Sequence, residues 1–502
     1  SSIDLRMQAT LERVMAQYLR AHQDVGLNNA SALLLDTSTM EVRALIGSAD
    51  WHNDAIAGQV NGTQGKRSPG STLKPFIYAL ALDQGLLHPK TVLKDAPTSF
   101  GPYTPENFDN RFAGPLSAQD ALIRSRNVPA VAVAAKLAKP GLYDFMRLAG
   151  VEKLQSEAHY GLALVLGGGE VTPEELARMY AVLANGGLSQ PLRYTRPALG
   201  ERAAQPLRLL SEEAAFVTLD MLRHTPRPDS GVPARPAIAW KTGTSWGFRD
   251  AWTAGVFGRH VLVVWVGNFD GSSNPALVGV DAAAPLFMRM VDALRAERLD
   301  PGEMARRQPP GLQQVEVCAA TGGLVGGEGA LCPVRTSTWF IAGKSPIRNS
   351  SLHRAVWVDE RSGEIVCGPQ PHARQQVVEQ WGSDMQRLFR QAGLPRARAP
   401  ADSCAGAGMA DESAPLISSP LRGVTHTVRA ARPEPLLLRA EAPSGTETIY
   451  WFADDALIGH ARPGEGLAWM PSLAATGRRY LLRAVDDQGR AAAREVVVEV
   501  AP

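Results

Sequence analysis

The stretch that most constrains this chain is Ser71-Thr72-Leu73-Lys74-Pro75, followed by Phe76-Ile77-Tyr78-Ala79-Leu80-Ala81-Leu82. Proline lacks a backbone N–H and clashes with the preceding turn, so Pro75 must lie in or near the first turn of any helix it enters. The helix therefore starts close to Ser71, and the run after Pro75 is apolar on every face. A helix of that kind is buried all round, so the chain needs a domain large enough to enclose it. With 502 residues, about three domains are expected, or two with a small third. Hydrophobic residues at 45% and charged residues at 20% describe a globular protein and exclude a disordered one.

Lys+Arg 52 against Asp+Glu 50 leaves no global field that would favour nucleic acid or an anionic membrane surface. No nucleic-acid partner is expected. No apolar run approaches the ~18 residues needed to span a bilayer; the best candidate, 261–267, reads as a strand. The chain opens Ser1-Ser2-Ile3-Asp4, without an initiator Met or an apolar leader, and is expected to be cut from something longer. Cys318, Cys332, Cys367 and Cys404 stand too far apart for the paired spacing of a structural zinc site, so no metal is expected. Their even number fits one or two disulfides and an oxidising compartment. Three connectivities are open. Cys318 with Cys332 would close a loop of about 14 residues, and Cys367 with Cys404 would tie a linker-like stretch back to the body.

Residues 3–19 carry Leu5, Leu11, Val14, Met15 and Leu19 at helical spacing and predict an amphipathic helix. Residues 32–36 and 41–45 read as a hairpin turning at Thr37-Ser38-Thr39. Thr172-Pro173-Glu174-Glu175 is a capping box that starts a helix with Leu176, Met179, Tyr180 and Leu183 on its apolar face. Residues 238–245, 251–257 and 261–266 predict three consecutive antiparallel strands. Past Pro309-Pro310-Gly311 the sequence becomes irregular and Gly-rich, and 396–415 reads as a linker. Short β-rich runs separated by turns from 422 onward predict a small β-sandwich. The expected divisions are 1–310, 311–415 and 416–502.

Ser71 and Lys74 sit three residues apart at a helix start, on one face and within reach of each other. A neighbouring lysine can take the proton of a serine if burial or a second cation lowers its pKa. By itself this spacing says little, since about one is expected by chance in a chain this long. Lys241-Thr242-Gly243-Thr244 ends a strand-like run, where hydroxyls and a cation could hold a carboxylate and Gly243 would let another backbone approach. Ser125-Arg126-Asn127 falls in a break between two helical runs. Together, in the order SxxK, SxN, KTG, the three form the motif set of serine acyl-transferases that react with penicillin.

The neighbourhoods extend the match: Gly70-Ser71-Thr72-Leu73-Lys74-Pro75-Phe76, Ser125-Arg126-Asn127-Val128-Pro129-Ala130-Val131, Gly168-Gly169-Glu170-Val171-Thr172-Pro173, and Lys241-Thr242-Gly243-Thr244-Ser245 followed by Asp250-Ala251-Trp252. Over roughly residues 3–294 the chain resembles the transpeptidase half of a class A penicillin-binding protein. Its tail, with Tyr450-Trp451-Phe452 and Leu457-Ile458-Gly459, resembles the small C-terminal domain of the 1C type. The resemblance implies an α+β penicillin-binding-protein/β-lactamase-like domain, an antiparallel sheet with a buried helical region, followed by a small all-β sandwich. It also implies the periplasmic side of a bacterial inner membrane, with an N-terminal anchor and glycosyltransferase domain preceding the junction near Ile3.

Carried over by position, the resemblance makes Ser71 the nucleophile toward the bond between two terminal D-alanines of a peptidoglycan stem peptide, and Lys74 its base. Ser125 would relay a proton to the leaving amine, and Asn127 would hold the donor peptide and Lys74. Lys241 would keep Lys74 partly neutral, Thr242 and Thr244 would bind the terminal carboxylate beside Gly243, and the N–H groups of Ser71 and Thr244 would form the oxyanion hole. No cofactor is implied. β-Lactams would acylate Ser71 and stay, because no Glu-x-x-Leu-Asn segment follows Ser125 to activate a deacylating water. The alternatives are a D-Ala-D-Ala carboxypeptidase, or a non-catalytic β-lactam- or wall-binding sensor or scaffold. The C-terminal domain, expected to be autonomous and dispensable for acylation, would dock to the wall or to a protein partner.

Overall fold

Strand β1 (Ala30–Asp36) is buried along its whole length, which requires cover on both faces. The computed structural model describes residues 1–502 except 101–102, 197–204, 301, 303–305, 326–330, 351, 380, 382, 395, 397–413, 432, 443–445, 455, 473–476, 488–489 and 502. β1 pairs with β2 (Glu41–Ile46) in the expected hairpin and, on its other edge, with a strand from far along the chain. The predicted triple appears as β3 (Ala239–Thr244), β4 (Asp250–Phe257) and β5 (His260–Gly267), giving one antiparallel sheet of order β2-β1-β5-β4-β3. β3 is therefore an edge strand.

The two faces of this sheet are read by residue parity. Leu33, Leu35, Trp252, Ala254, Val263 and Trp265 turn toward a core shared with helices α2 (Lys74–Asp83), α3 (Asn127–Ala134), α4 (Pro173–Ala184) and α5 (Glu212–Arg223). Ala32, Leu34, Ala251, Val264 and Val266 turn toward α1 (Leu5–Arg20) and α6 (Ala284–Ala296). The domain is thus three layers, with the sheet in the middle. α1 is capped by Asp4, whose side chain accepts from the N–H groups of Arg6 and Met7. Leu5, expected on its apolar face, is 81% exposed. At 3.6 residues per turn it falls on the opposite side from Val14, and Met7 and Tyr18 fill the buried stripe instead.

The capping box at Thr172 forms as expected, with Glu175 Oε2 accepting from Thr172 N at 2.8 Å and Thr172 Oγ1 from Glu175 N at 3.1 Å. Helix α2 has every residue from Lys74 to Leu82 buried. Each fully buried Phe, Ile or Leu there contributes about 1.5–3 kcal/mol.

The stretch after 311 differs from the irregular segment expected. Leu312–Cys318 and Arg335–Ile341 pair antiparallel, and a further sheet orders Ile365–Val366, His353–Asp359 and Ala373–Glu379. The glycines and cysteines between these runs mask a period of two that Val315 and Val317 retain. Leu312 and Ile341 join the core of α2 to α5, and Trp339 Nε1 donates to Asp220 Oδ2 on α5 at 2.9 Å. Cys318 and Cys332 are disulfide-bonded, with a Cα–Cα distance of 5.8 Å. Cys404 and most of the expected 396–415 linker lie outside the described residues.

The C-terminal part is a sandwich. Leu416–Ser419, Leu436–Glu441 and Leu467–Trp469 form one sheet, and Thr425–Arg429, Ala491–Ala501, Arg478–Asp486, Ile449–Ala453 and Ala456–Ala461 the other. Leu438, Trp451, Leu482 and Val496 are enclosed between them. Among the described residues no helix is long and apolar enough to cross a membrane.

Peptide mapping without reductant is expected to recover Cys318 and Cys332 as one crosslinked pair. Replacing both with serine should cost about 3 kcal/mol by the loop-closure argument, read as a lower temperature of unfolding for the hairpin region.

Candidate active site

The segment carrying Ser71 is fixed from three sides. Gly70–Leu73 forms a single 3-10 turn that runs into α2, and Pro75 occupies the first turn of that helix. Trp252 Nε1 on β4 donates to Ser68 O at 2.9 Å, and Tyr180 OH on α4 donates to Thr72 O at 3.0 Å. The third side is β3, met backbone to backbone. A Cβ on Gly243 would stand 2.1 Å from Pro69 O, and one on Gly70, itself at φ +53°, 2.4 Å from Thr244 O. No other residue allows that approach at Gly243. Ser71 and Thr244 are consequently side by side, both half-buried.

Ser125 lies between the helix Ala118–Ile123 and α3, in the left-handed region at φ +58°. That conformation is disfavoured for a residue with a side chain, and two lysines hold it. Lys74 Nζ donates to Ser125 O at 2.6 Å, to Asn127 Oδ1 at 2.5 Å and, at 3.4 Å, to Ser125 Oγ. Lys241 Nζ donates to Ser125 Oγ at 2.8 Å and to Thr242 O at 3.0 Å. Four of the expected residues, Lys74, Ser125, Asn127 and Lys241, thus form one connected cluster. Ser71 stands beside it, and among the described residues its hydroxyl has no hydrogen-bond partner.

Lys74 is wholly enclosed and Lys241 nearly so, at 0% and 2% exposure, while the hydroxyl-bearing Ser71, Ser125, Thr242 and Thr244 remain partly open. Burial pushes the Lys74 ammonium well below its ordinary range, and the nearby charges of Lys241 and Arg126 push it further. Burial alone brings Lys241 down to about 7. Both amines thus release a proton more readily than an ordinary lysine does. Among the described residues the one cluster with metal-ligand geometry is Cys318, Cys332 and His353, and its two sulfurs are joined in the disulfide. On β3, Thr244 Oγ1 accepts from Gly279 N at 2.9 Å. The rings of Phe108 and Phe248 meet edge to face, their centroids 5.9 Å apart.

Residues 30–280 match the family model described as the penicillin binding protein transpeptidase domain. The chain belongs to this family. Two further models match later stretches of this penicillin-binding protein: the penicillin-binding protein 1A C-terminal domain over 308–355 and the penicillin-binding protein C-terminus family over 404–498. It is 34% identical to penicillin-binding protein 1C of Escherichia coli over 380 residues, 70% of this chain and 46% of that protein. It is 32% identical to penicillin-binding protein 1A of Neisseria meningitidis over 268 residues, 49% of this chain and 33% of that one. The chain thus matches less than half the length of these relatives. Among solved structures, penicillin-binding protein 1A of Haemophilus influenzae superposes with a TM-score of 0.54 at 24% identity, over 64% of this chain and 55% of that chain. A penicillin-binding protein of Mycobacterium tuberculosis in complex with penicillin V gives 0.51 at 20% identity, over 61% and 87%. These two establish likeness of fold.

Sequence reasoning missed the residues that hold the Ser125–Asn127 turn in this penicillin-binding protein. Asp95, fully buried on the strand Val92–Asp95, accepts from Arg126 Nε at 2.7 Å, Asn107 Nδ2 at 2.7 Å and Ala113 N at 2.8 Å. Asn107 Oδ1 in turn accepts from Asn127 N at 2.8 Å. Only the charge of Arg126 inside the SxN motif hinted at this. Arg126→Leu should leave Asp95 buried without a cation and cost about 3 kcal/mol or more, measured as a lower temperature of unfolding together with slower reaction with penicillin.

Proposed function

We propose that this penicillin-binding protein is a serine acyl-transferase that crosslinks peptidoglycan stem peptides. The observation that carries the reading is the enclosed amine of Lys74, hydrogen-bonded to Ser125 and Asn127 one turn from the half-exposed Ser71, with its pKa pushed down by burial and by Lys241. The proposed donor is a stem peptide ending in D-Ala-D-Ala, laid along the edge of β3 with its terminal carboxylate on Thr242 and Thr244. Edge strands present unpaired backbone groups to an extended peptide.

In the first half-reaction Ser71 Oγ bonds to the carbonyl carbon of the penultimate D-alanine, and its proton passes to Lys74. The amine rests on Ser125 and Asn127 before reaction, so it turns toward Ser71 as the hydroxyl ionises. The N–H groups of Ser71 and Thr244 receive the developing oxyanion, an interaction worth a few kcal/mol in sites of this kind. The C–N bond then breaks, and Ser125 relays a proton to the departing D-alanine. In the second half-reaction the amine of another stem peptide attacks the acyl-enzyme, forming the crosslink and returning the proton and the free hydroxyl. A β-lactam enters the first half-reaction only, and remains on Ser71. The Cys318–Cys332 disulfide supports a periplasmic setting.

Ser71→Ala should keep its fold and lose all covalent labelling by fluorescent penicillin, followed by gel and intact mass. Retention of the drug's mass by the alanine variant would place the nucleophile elsewhere. Incubation of the native chain with a D-Ala-D-Ala stem peptide and an amine acceptor should give crosslinked product; release of D-alanine without crosslinking would favour the carboxypeptidase.

The two lysines also fix a pH dependence. Acylation needs Lys74 neutral and Lys241 charged, so the rate should fall on the acid side as Lys74 protonates, and on the alkaline side as Lys241 loses its proton from about 7 upward. A rate of penicillin acylation that stays flat from about pH 5 to pH 9 would contradict the assignment.

A further inference from the structure

The strand Leu436–Glu441 of the C-terminal sandwich alternates strictly between two environments. Leu436, Leu438 and Ala440 are buried in the sandwich core, which turns Arg439 and Glu441 to the other side of the strand. Both of those outward residues reach the transpeptidase domain. Glu441 Oε1 accepts from Lys94 Nζ, and Arg439 Nη1 donates to Pro97 O at 3.0 Å. Leu421, just after the first sandwich strand, packs against the core shared by α2 to α5.

The position of these two contacts gives them their interest. Lys94 and Pro97 bracket Asp95, whose carboxylate holds Arg126 and Asn107, and Asn107 holds the backbone of Asn127. Asn127 Oδ1 is itself an acceptor for Lys74 Nζ. An unbroken series of short contacts therefore runs from the outer face of one sandwich strand to the amine beside Ser71. Lys94 and Asp95, as neighbours on a strand, point to opposite faces, so the tail grips the back of the segment whose front organises the SxN turn. Chains of hydrogen bonds and ion pairs are among the routes by which one site is coupled to another.

We infer that the C-terminal domain is a positioning element for the active site: Glu441 and Arg439 clamp residues 94–97 and thereby set the placement of Arg126, Asn127 and Lys74. This rests on the proposed acyl-transfer reading and reverses the expectation that the tail is dispensable for acylation. Lys94, Arg439 and Glu441 touch no reacting atom. Their contribution acts through Asp95.

The test uses the full chain and the second-order rate of acylation by fluorescent penicillin. Labelling of the native chain, and its loss in Ser71→Ala, reports on the acyl-transfer reading alone. Lys94→Glu and Glu441→Lys, each placing like charges at the contact, are expected to slow acylation at least about threefold without abolishing it. The double variant, which restores opposite charges in reverse order, is expected to return to within about twofold of the native rate. A structural loss that merely loosened the sandwich would not be rescued in this way. Glu441→Gln, a milder change on the outer face of the strand, serves where a charge reversal fails to fold, and should slow acylation in the same direction. Rates within about twofold of native for Glu441→Gln and both reversals, or single-variant losses that the double variant does not recover, would overturn the inference while leaving Ser71 as the nucleophile.

Discussion

Two ammonium groups enclosed in one hydrogen-bonded cluster set the demands on the rest of the transpeptidase layers. Lys74 and Lys241 both donate to Ser125, both are shut off from solvent, and the charge of one disfavours that of the other. Enclosing a cation without a carboxylate partner costs several kcal/mol. For Lys241 the linkage is direct: its folded pKa of about 7 lies below the unfolded value of 10.5, so the penalty is complete below pH 7 and fades as pH rises toward 10.5. Packing offsets it. The helix that begins at Lys74 is buried from Lys74 to Leu82, and the segment leading into it is pinned by Trp252 and Tyr180 from two other elements. The enclosure of the two lysines is thus offset by the apolar layers around them.

The parts of the fold that the sequence made legible are those whose cause is local. Pro75 after Lys74 announces a helix start, the Thr172 to Glu175 box announces another, and period-two runs announce β3, β4 and β5. The motif residues could be grouped before their positions were known because each motif is a short local pattern. Asp95 and Asn107 could not, since neither lies in a motif and each acquires meaning only from partners brought in by folding. The hairpin at 312–341 was hidden for a related reason. Its two seven-residue strands are separated by a Gly-rich stretch of sequence, and they are held by a crosslink and by Trp339 reaching α5 as well as by their own pairing.

Departures from ordinary backbone preference gather where the motifs converge. Ser125 is held at positive φ, Gly70 turns left-handed, and Gly243 tolerates a carbonyl where any side chain would collide. A chain adopts such conformations only where surrounding contacts determine them. Here they come from three separate elements, α4, β3 and β4, that meet the turn before α2 and the SxN turn.

The pairing of β1 with β5 carries a consequence for how the molecule comes to be folded at all. Asp36 finds His260, and Ala30 finds Val266, only after the whole helical layer between them has been made. On a ribosome, the hairpin of β1 and β2 and the apolar α2 would emerge long before the strands that cover them. Contacts so distant in sequence slow folding, and the intervening interval exposes Leu33, Leu35 and the α2 surface to other chains. The sheet that finally aligns the KTG strand with Ser71 is therefore closed by its last-made neighbours, and an unfinished chain holds its motif residues without an active site.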